Sequence, residues 1–253
     1  MTSEAGATRI SNLALPAARL WAAARFPYLA SALFGCRVVE AAGIGTVAVD
    51  QAWRLWLDPE IAQDWTPAEL GSLLVHHVCH LLRDHAERAL GAGVGSAESE
   101  SWVRCADAEI NDDLIPSGLA LPGEPVLPDQ LGAEPGGLAE QYYQLTLESV
   151  ARPGEPRGDL APGTTLNRED DTPALPGGLV LVEGAPGGEP ETASPGQPGA
   201  GSPGATQPSW TVDCGSGADG QDRPWERSAA AEGTPGLSEW EAELLARQVA
   251  TEC

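Results

Sequence analysis

Lysine is absent from this sequence: all 14 cationic side chains are arginine, against 37 acidic ones, and the formal net charge at pH 7 is −23. That balance excludes a general binder of the nucleic-acid backbone, which needs a basic surface to displace counterions. No apolar run approaches the roughly 18–20 residues that a bilayer crossing needs. Met1–Arg9 also lacks the basic start and apolar stretch of a secretory signal. The chain therefore reads as cytoplasmic, without a membrane or nucleic-acid partner. The cysteines are few and scattered (Cys36, Cys79, Cys105, Cys214, Cys253), odd in number and without Cys-x-x-Cys spacing, so neither a disulfide framework nor a cysteine zinc finger is indicated.

What the sequence has in excess is glycine and proline, 30 and 22 residues, concentrated late in the chain. From Val150 to Ser209 about two residues in five are one or the other. So little apolar area there offsets the entropy of ordering that residues 150–209 read as a disordered acidic linker or insertion. Residues 10–149 read as the folded domain, and 210–253 as a C-terminal segment with one helix that packs on it or continues it. In the N-terminal part, helical spacing spans Leu13–Phe26 and then Tyr28–Phe34. The β-branched and aromatic runs between Arg37 and Leu57 predict a small sheet. Thr66-Pro67-Ala68-Glu69 starts a helix, with threonine at the cap, proline first and glutamate third. It is predicted to run to about Leu90, followed by helices over Ala97–Leu114, Leu138–Leu147 and, late, Leu237–Ala250. The fold class is α+β.

The four histidines all fall within ten residues: His76, His77, His80 and His85, in LLVHHVCHLLRDHAERAL. At about 100° per residue, His76 and His80 stand one turn apart on the same helix face, as a helical zinc site requires. They flank an apolar stripe of Leu70, Leu74, Val78, Leu81 and Leu82. His77 turns toward that stripe, and His85 lies almost opposite His76, outside the inner ligand set. A catalytic zinc site commonly takes three protein ligands and one water. The next helix offers the third: in WVRCADAEINDDL, Asp107 and Asn111 share a face, while Glu109 points elsewhere. Asp107 is the preferred ligand, with Asn111 or Asp112 orienting it and His85 as a further supporting group. Cys79 faces away and reads as a packing residue. A histidine pair on a helix can be no more than a hydrogen-bonded or exposed pair, but the clustering of every histidine ahead of an acid-bearing helix favours a metal, zinc or another divalent ion.

In their order, YLASALF, TVAVD, RLWLDPE, LLVHHVCHLLRDHAERA, CADAEINDDL, LPGEPVLP, DCGSGADG–RPWE and LSEWEAELLARQVA resemble a bacterial metallopeptidase-like domain family found N-terminal to von Willebrand factor A-like domains. That family is zincin-like, with His-Glu-x-x-His on one helix and an acidic ligand on the next. The resemblance implies a zinc-dependent hydrolase of metallopeptidase type acting on a peptide or protein, with His76, His80 and Asp107 as ligands. Full-length members continue into the von Willebrand-like domain, which does not follow LSEWEAELLARQVA here.

One position departs from the motif: His77 stands where the family has its glutamate. That glutamate is the general base that takes a proton from the metal-bound water, and loss of a positioned base typically removes about 10²–10⁴ in rate. His77 is the candidate catalytic base in its place. The alternative is an inactive relative that keeps the metal and binds a peptide or protein partner.

The remaining features read as ordinary structure. Five of the eight tryptophans (Trp21, Trp53, Trp56, Trp65, Trp102) fall in predicted elements, as core and cleft-wall residues. Arg83, Asp84, Glu87 and Arg88 read as a solvated helix face. The acidic run Asp107–Asp113 has no EF-hand loop, the glycine-rich segments lack the P-loop lysine, and no Ser-His-Asp triad can be assembled. Limited proteolysis is expected to cut first within Val150–Ser209, as read by mass spectrometry of the fragments; resistance there would contradict the compositional reading.

Overall fold

The computed structural model describes residues 4–62, 65–151, 213–231 and 233–252. The expected disordered stretch lies, from residue 152 to 209, outside the described residues; Val150 and Ala151 belong to a helix. Helices α1 (Glu4–Arg25) and α2 (Ala30–Gly35), joined by a 3-10 turn at Pro27–Leu29, precede strands β1 (Arg37–Glu40), β2 (Val47–Val49) and β3 (Arg54–Leu57). Then come α3 (Pro59–Ala62), α4 (Pro67–Leu82), α5 (His85–Gly91), α6 (Ser99–Leu114) and α7 (Ala139–Ala151). After the undescribed stretch follow α8 (Ser216–Asp219), α9 (Pro224–Ala231) and α10 (Glu239–Glu252). The molecule is α+β, as expected. Among the described residues no helix is long and apolar enough to cross a membrane.

The sheet has order β1-β3-β2, with β1 parallel and β2 antiparallel to β3. The β2–β3 hairpin is organised by buried Asp50, whose carboxylate accepts from the backbone of Ala52 and Arg54, from Arg54 Nε at 2.6 Å and from Trp56 Nε1 at 2.8 Å. These partners satisfy a charge that would otherwise be costly to bury.

Helix α4 is the centre of the main core. Thr66 caps it as expected: its side chain accepts from Glu69 N, while the Glu69 carboxylate accepts from Thr66 N at 2.8 Å. Leu70, Leu74, Val75 and Val78 are buried against Leu15, Ala18 and Ala22 of α1. The two helices approach closely because position 71 is glycine. A Cβ there would lie 2.6 Å from Trp21 Cε3 and 2.9 Å from the Ala18 carbonyl.

The helix expected to reach Leu90 is broken. It ends at Leu82, and Asp84 takes a left-handed conformation with φ +52° before α5 begins at His85. Neither glycine nor proline marks this break, but aspartate tolerates the left-handed region better than most residues. The consequence is that His85 is not carried to the far side of α4. Likewise, the segment DCGSGADGQDRPWE, which has the composition of turns, forms two short helices, α8 and α9. Thr66→Ala is expected to lower the unfolding free energy by about 1 kcal/mol, read by urea denaturation, through loss of the cap of α4.

Candidate metal centre

The 3.6-residue period of α4 puts His76 and His80 on one side, toward α6, and both side chains are fully buried. Their Nε2 atoms lie 3.1 Å apart. Asp107 comes from the middle of α6, with Oδ1 at 3.3 Å from His76 Nε2 and 3.1 Å from His80 Nε2. A fourth donor arrives from far along the chain: Cys214 Sγ lies 3.9 Å from His76 Nε2 and 3.8 Å from Asp107 Oδ1. One donor atom from each of the four falls within 4.8 Å of every other, and all four residues are buried. Zinc bonds of about 2.0–2.1 Å to nitrogen or oxygen and about 2.3 Å to sulfur give tetrahedral edges of roughly 3.3 Å between light donors and roughly 3.6 Å to sulfur. The three spacings among nitrogen and oxygen donors and the sulfur distances to His76 and Asp107 lie within about 0.3 Å of those edges, so this donor set suits a divalent ion.

Cys214 had no signal of its own in the sequence, since it lies 138 positions from His76. Its placement is a matter of backbone. Val49 N of β2 donates to the Cys214 carbonyl at 2.9 Å, and Thr46 Oγ1 donates to the Asp213 carbonyl at 3.3 Å. Gly215 follows with φ +85°, and a Cβ there would sit 2.3 Å from the Val49 carbonyl, so only glycine allows this approach. Arg223 then clamps both ends of the loop, with Nη2 donating to Asp213 Oδ1 at 2.6 Å and Nη1 to Asp219 Oδ1 at 3.0 Å. Trp102 Nε1 on α6 donates to the Ala218 carbonyl at 3.0 Å. The segment carrying Cys214 is thus fastened to β2, to α6 and to Arg223, just ahead of α9.

The surrounding groups divide differently from the sequence reading. Asn111 meets His76: Oδ1 accepts from His76 Nδ1 at 3.0 Å, while Asn111 Nδ2 donates to the Val126 carbonyl at 3.0 Å. This pairing directs His76 Nε2 toward the other donors. Asp112 is not part of the site; its carboxylate accepts from Gly136 N at an exposed position. His85, turned inward by the break at Asp84, has its Nδ1 3.0 Å from His80 Nδ1. Arg83 and Arg88 are not a solvated face, whereas Glu109 points away from the donors, as expected. The buried Glu109 carboxylate binds Arg83 at 3.0 Å and Arg88 at 2.8 Å and accepts from Ala139 N at 2.6 Å. Arg83, His85 and Arg88 differ from the expectation because the helix is broken after Leu82.

His77 is buried beside the ligands, its ring centroid 5.5 Å from that of His76. Burial, and then the neighbouring His76 and His80, hold its pKa well below the usual imidazole value despite Asp107 and the backbone of Val47, so it is neutral. Its Nδ1 has no hydrogen-bond partner among the described residues. Burial likewise pushes His80 down to about 3, against the opposing pull of Asp107. Burial would raise the Asp107 carboxyl, but the adjacent imidazoles of His76 and His80 outweigh it and hold the group below its usual range. Burial and then the Asp107 charge push the Cys214 thiol well up, and a bound cation reverses this by favouring the thiolate.

A family model described as "Putative metallopeptidase domain" matches residues 12–252. No curated protein and no solved structure matches the chain. The Cys214 placement is testable directly: Arg223→Ala is expected to speed modification of Cys214 by a thiol reagent in metal-free protein, with Cys36, Cys79 and Cys105 still protected. An unchanged Cys214 rate would show that the clamp does not hold this loop.

Proposed function

The chain belongs to this metallopeptidase-domain family, and from that premise we propose that it is a zinc-binding member that holds its ion with four side chains and does not turn over peptides. The fold is zincin-like in this reading, with His76 and His80 on α4 and Asp107 on α6 as three ligands. The observation that carries the proposal is Cys214, whose sulfur stands with the other three donors. Catalytic zinc sites keep a position for water, whereas structural sites are filled by four protein ligands. The ion, when bound, supplies a positive charge that balances the carboxylate and thiolate and ties the residues after 212 to α4 and α6.

Two further observations support a silent site. Edge strand β2, against which an extended peptide would lie, is engaged by the chain's own Asp213–Cys214 backbone. His77 occupies the place of the general base, neutral and buried, with a shape and reach unlike a carboxylate's. Residues 10–149 and 210–253 form one metal-binding domain in this reading, with 150–209 a linker within it. A reducing compartment such as the cytoplasm suits a thiolate ligand and the buried free thiols.

A hydrolytic reading has the family membership itself in its favour. It requires Cys214 to withdraw so that water takes the fourth place, with His77 as base. Elemental analysis is expected to find about one zinc per purified chain, and far less in His76→Ala and Asp107→Ala; metal retained equally in both would remove the ligand assignment. On casein or a peptide pool, wild type is expected to be inactive, with chelator-sensitive cleavage appearing only when Cys214→Ala and His77→Glu are combined. Chelator-sensitive cleavage by wild type would refute the silent-site reading.

A further inference from the structure

Behind the four donors a second set of buried polar groups continues from His80 into the protein. Resting on the metal reading above, we propose that His85 and Glu109 are positioning residues, which present His80 to the ion through an imidazole–imidazole–carboxylate relay. His80 faces the donor cluster with Nε2, 3.1 Å from Asp107 Oδ1, and faces His85 with Nδ1, 3.0 Å from His85 Nδ1. A hydrogen bond between two ring nitrogens needs one that carries hydrogen and one that does not. With the Nε2 lone pair committed to a cation, the hydrogen of neutral His80 is on Nδ1, so His85 Nδ1 is the acceptor. The hydrogen of His85 is then on Nε2. That atom is fully buried, has no closely aligned partner among the described residues, and lies 3.5 Å from Glu109 Oε1.

Glu109 suits the end of such a relay. It is anchored by Arg83, Arg88 and Ala139 N, so its oxygens are held in place and act only as acceptors. The opposite arrangement, with hydrogen on His85 Nδ1, would turn the Nε2 lone pair toward a carboxylate with nothing between them to donate. The relay also gives the left-handed Asp84 a role. On an unbroken helix a residue five positions after His80 is rotated by about 140° from it, whereas the break after Leu82 brings His85 back against His80. A backbone conformation unfavourable for a non-glycine residue is thus tied to a contact at the site. His76 is oriented by Asn111 instead, so the two imidazoles are fixed by independent partners.

The test uses the full chain and zinc alone. Zinc affinity is measured by competition with a chromophoric chelator for wild type, His85→Ala, His85→Gln and Glu109→Gln. Loss of such outer partners typically weakens metal binding about 10–100-fold. His85→Ala and Glu109→Gln are expected to show that loss, and His85→Gln, whose side-chain carbonyl can accept from His80 Nδ1, to recover part of it. A purely structural role would not give that rescue. Long-range ¹H–¹⁵N spectra of the zinc-loaded wild type, which need no variant to fold, are expected to show His85 with hydrogen on Nε2 and none on Nδ1. Wild-type zinc binding with a folded His85→Ala of equal affinity, or a hydrogen on His85 Nδ1, would overturn the relay and leave the metal reading standing. A wild type that takes up no zinc would overturn both.

Discussion

Two imidazoles, a carboxylate and a thiol brought together away from water place one electrostatic demand on the whole molecule. A buried carboxylate must find a hydrogen-bond donor or a cation, because leaving it unpaired costs far more than a surface charge does. Asp107 is 4% exposed and faces two imidazoles and a thiol. A divalent ion answers that demand with two positive charges at one point and turns the thiol into a ligand. The elements are arranged around this point: α4 is held against α1 through the glycine at 71, α6 supplies the carboxylate, and the Cys214 loop closes over them from β2.

The outer groups extend the same logic. Asn111 commits its amide to Val126 and its oxygen to His76, so that ring is oriented before any ion arrives. Glu109 collects two arginines and a backbone N–H; burial would raise its pKa, but His85, then Arg88 and the Ala139 N–H, outweigh that and hold it below the usual carboxylate range. A rigid carboxylate at that place makes the polarity of the inner histidines definite. Such a network needs every member satisfied to be worth its burial, and the long contact from His85 to Glu109 is its weakest link.

How far this could be read from the sequence depended on distance along the chain. His76, His80 and Asp107 were accessible because helical periodicity alone places them, and the capping residues Thr66 and Glu69 fixed where α4 starts. The order of short motifs carried the family. The break at Asp84 was not legible, since it rests on one left-handed aspartate rather than on glycine or proline, and with it went the places of His85, Arg83 and Arg88. Glu109 does point away from the donors, but its partners could not be read because Arg83, Arg88 and His85 follow the unread break. Cys214 depended on backbone pairing with β2 across a long glycine- and proline-rich tract. Its one local sign is the glycine at 215, whose significance emerges only when Val49 is seen beside it.

The identity of the fourth donor decides between a closed metal centre and one open to water. X-ray absorption at the zinc edge of the metal-loaded full chain reads it directly. A closed centre gives one sulfur at about 2.3 Å together with three nitrogen or oxygen atoms at about 2.0–2.1 Å. A shell of nitrogen and oxygen alone would contradict it.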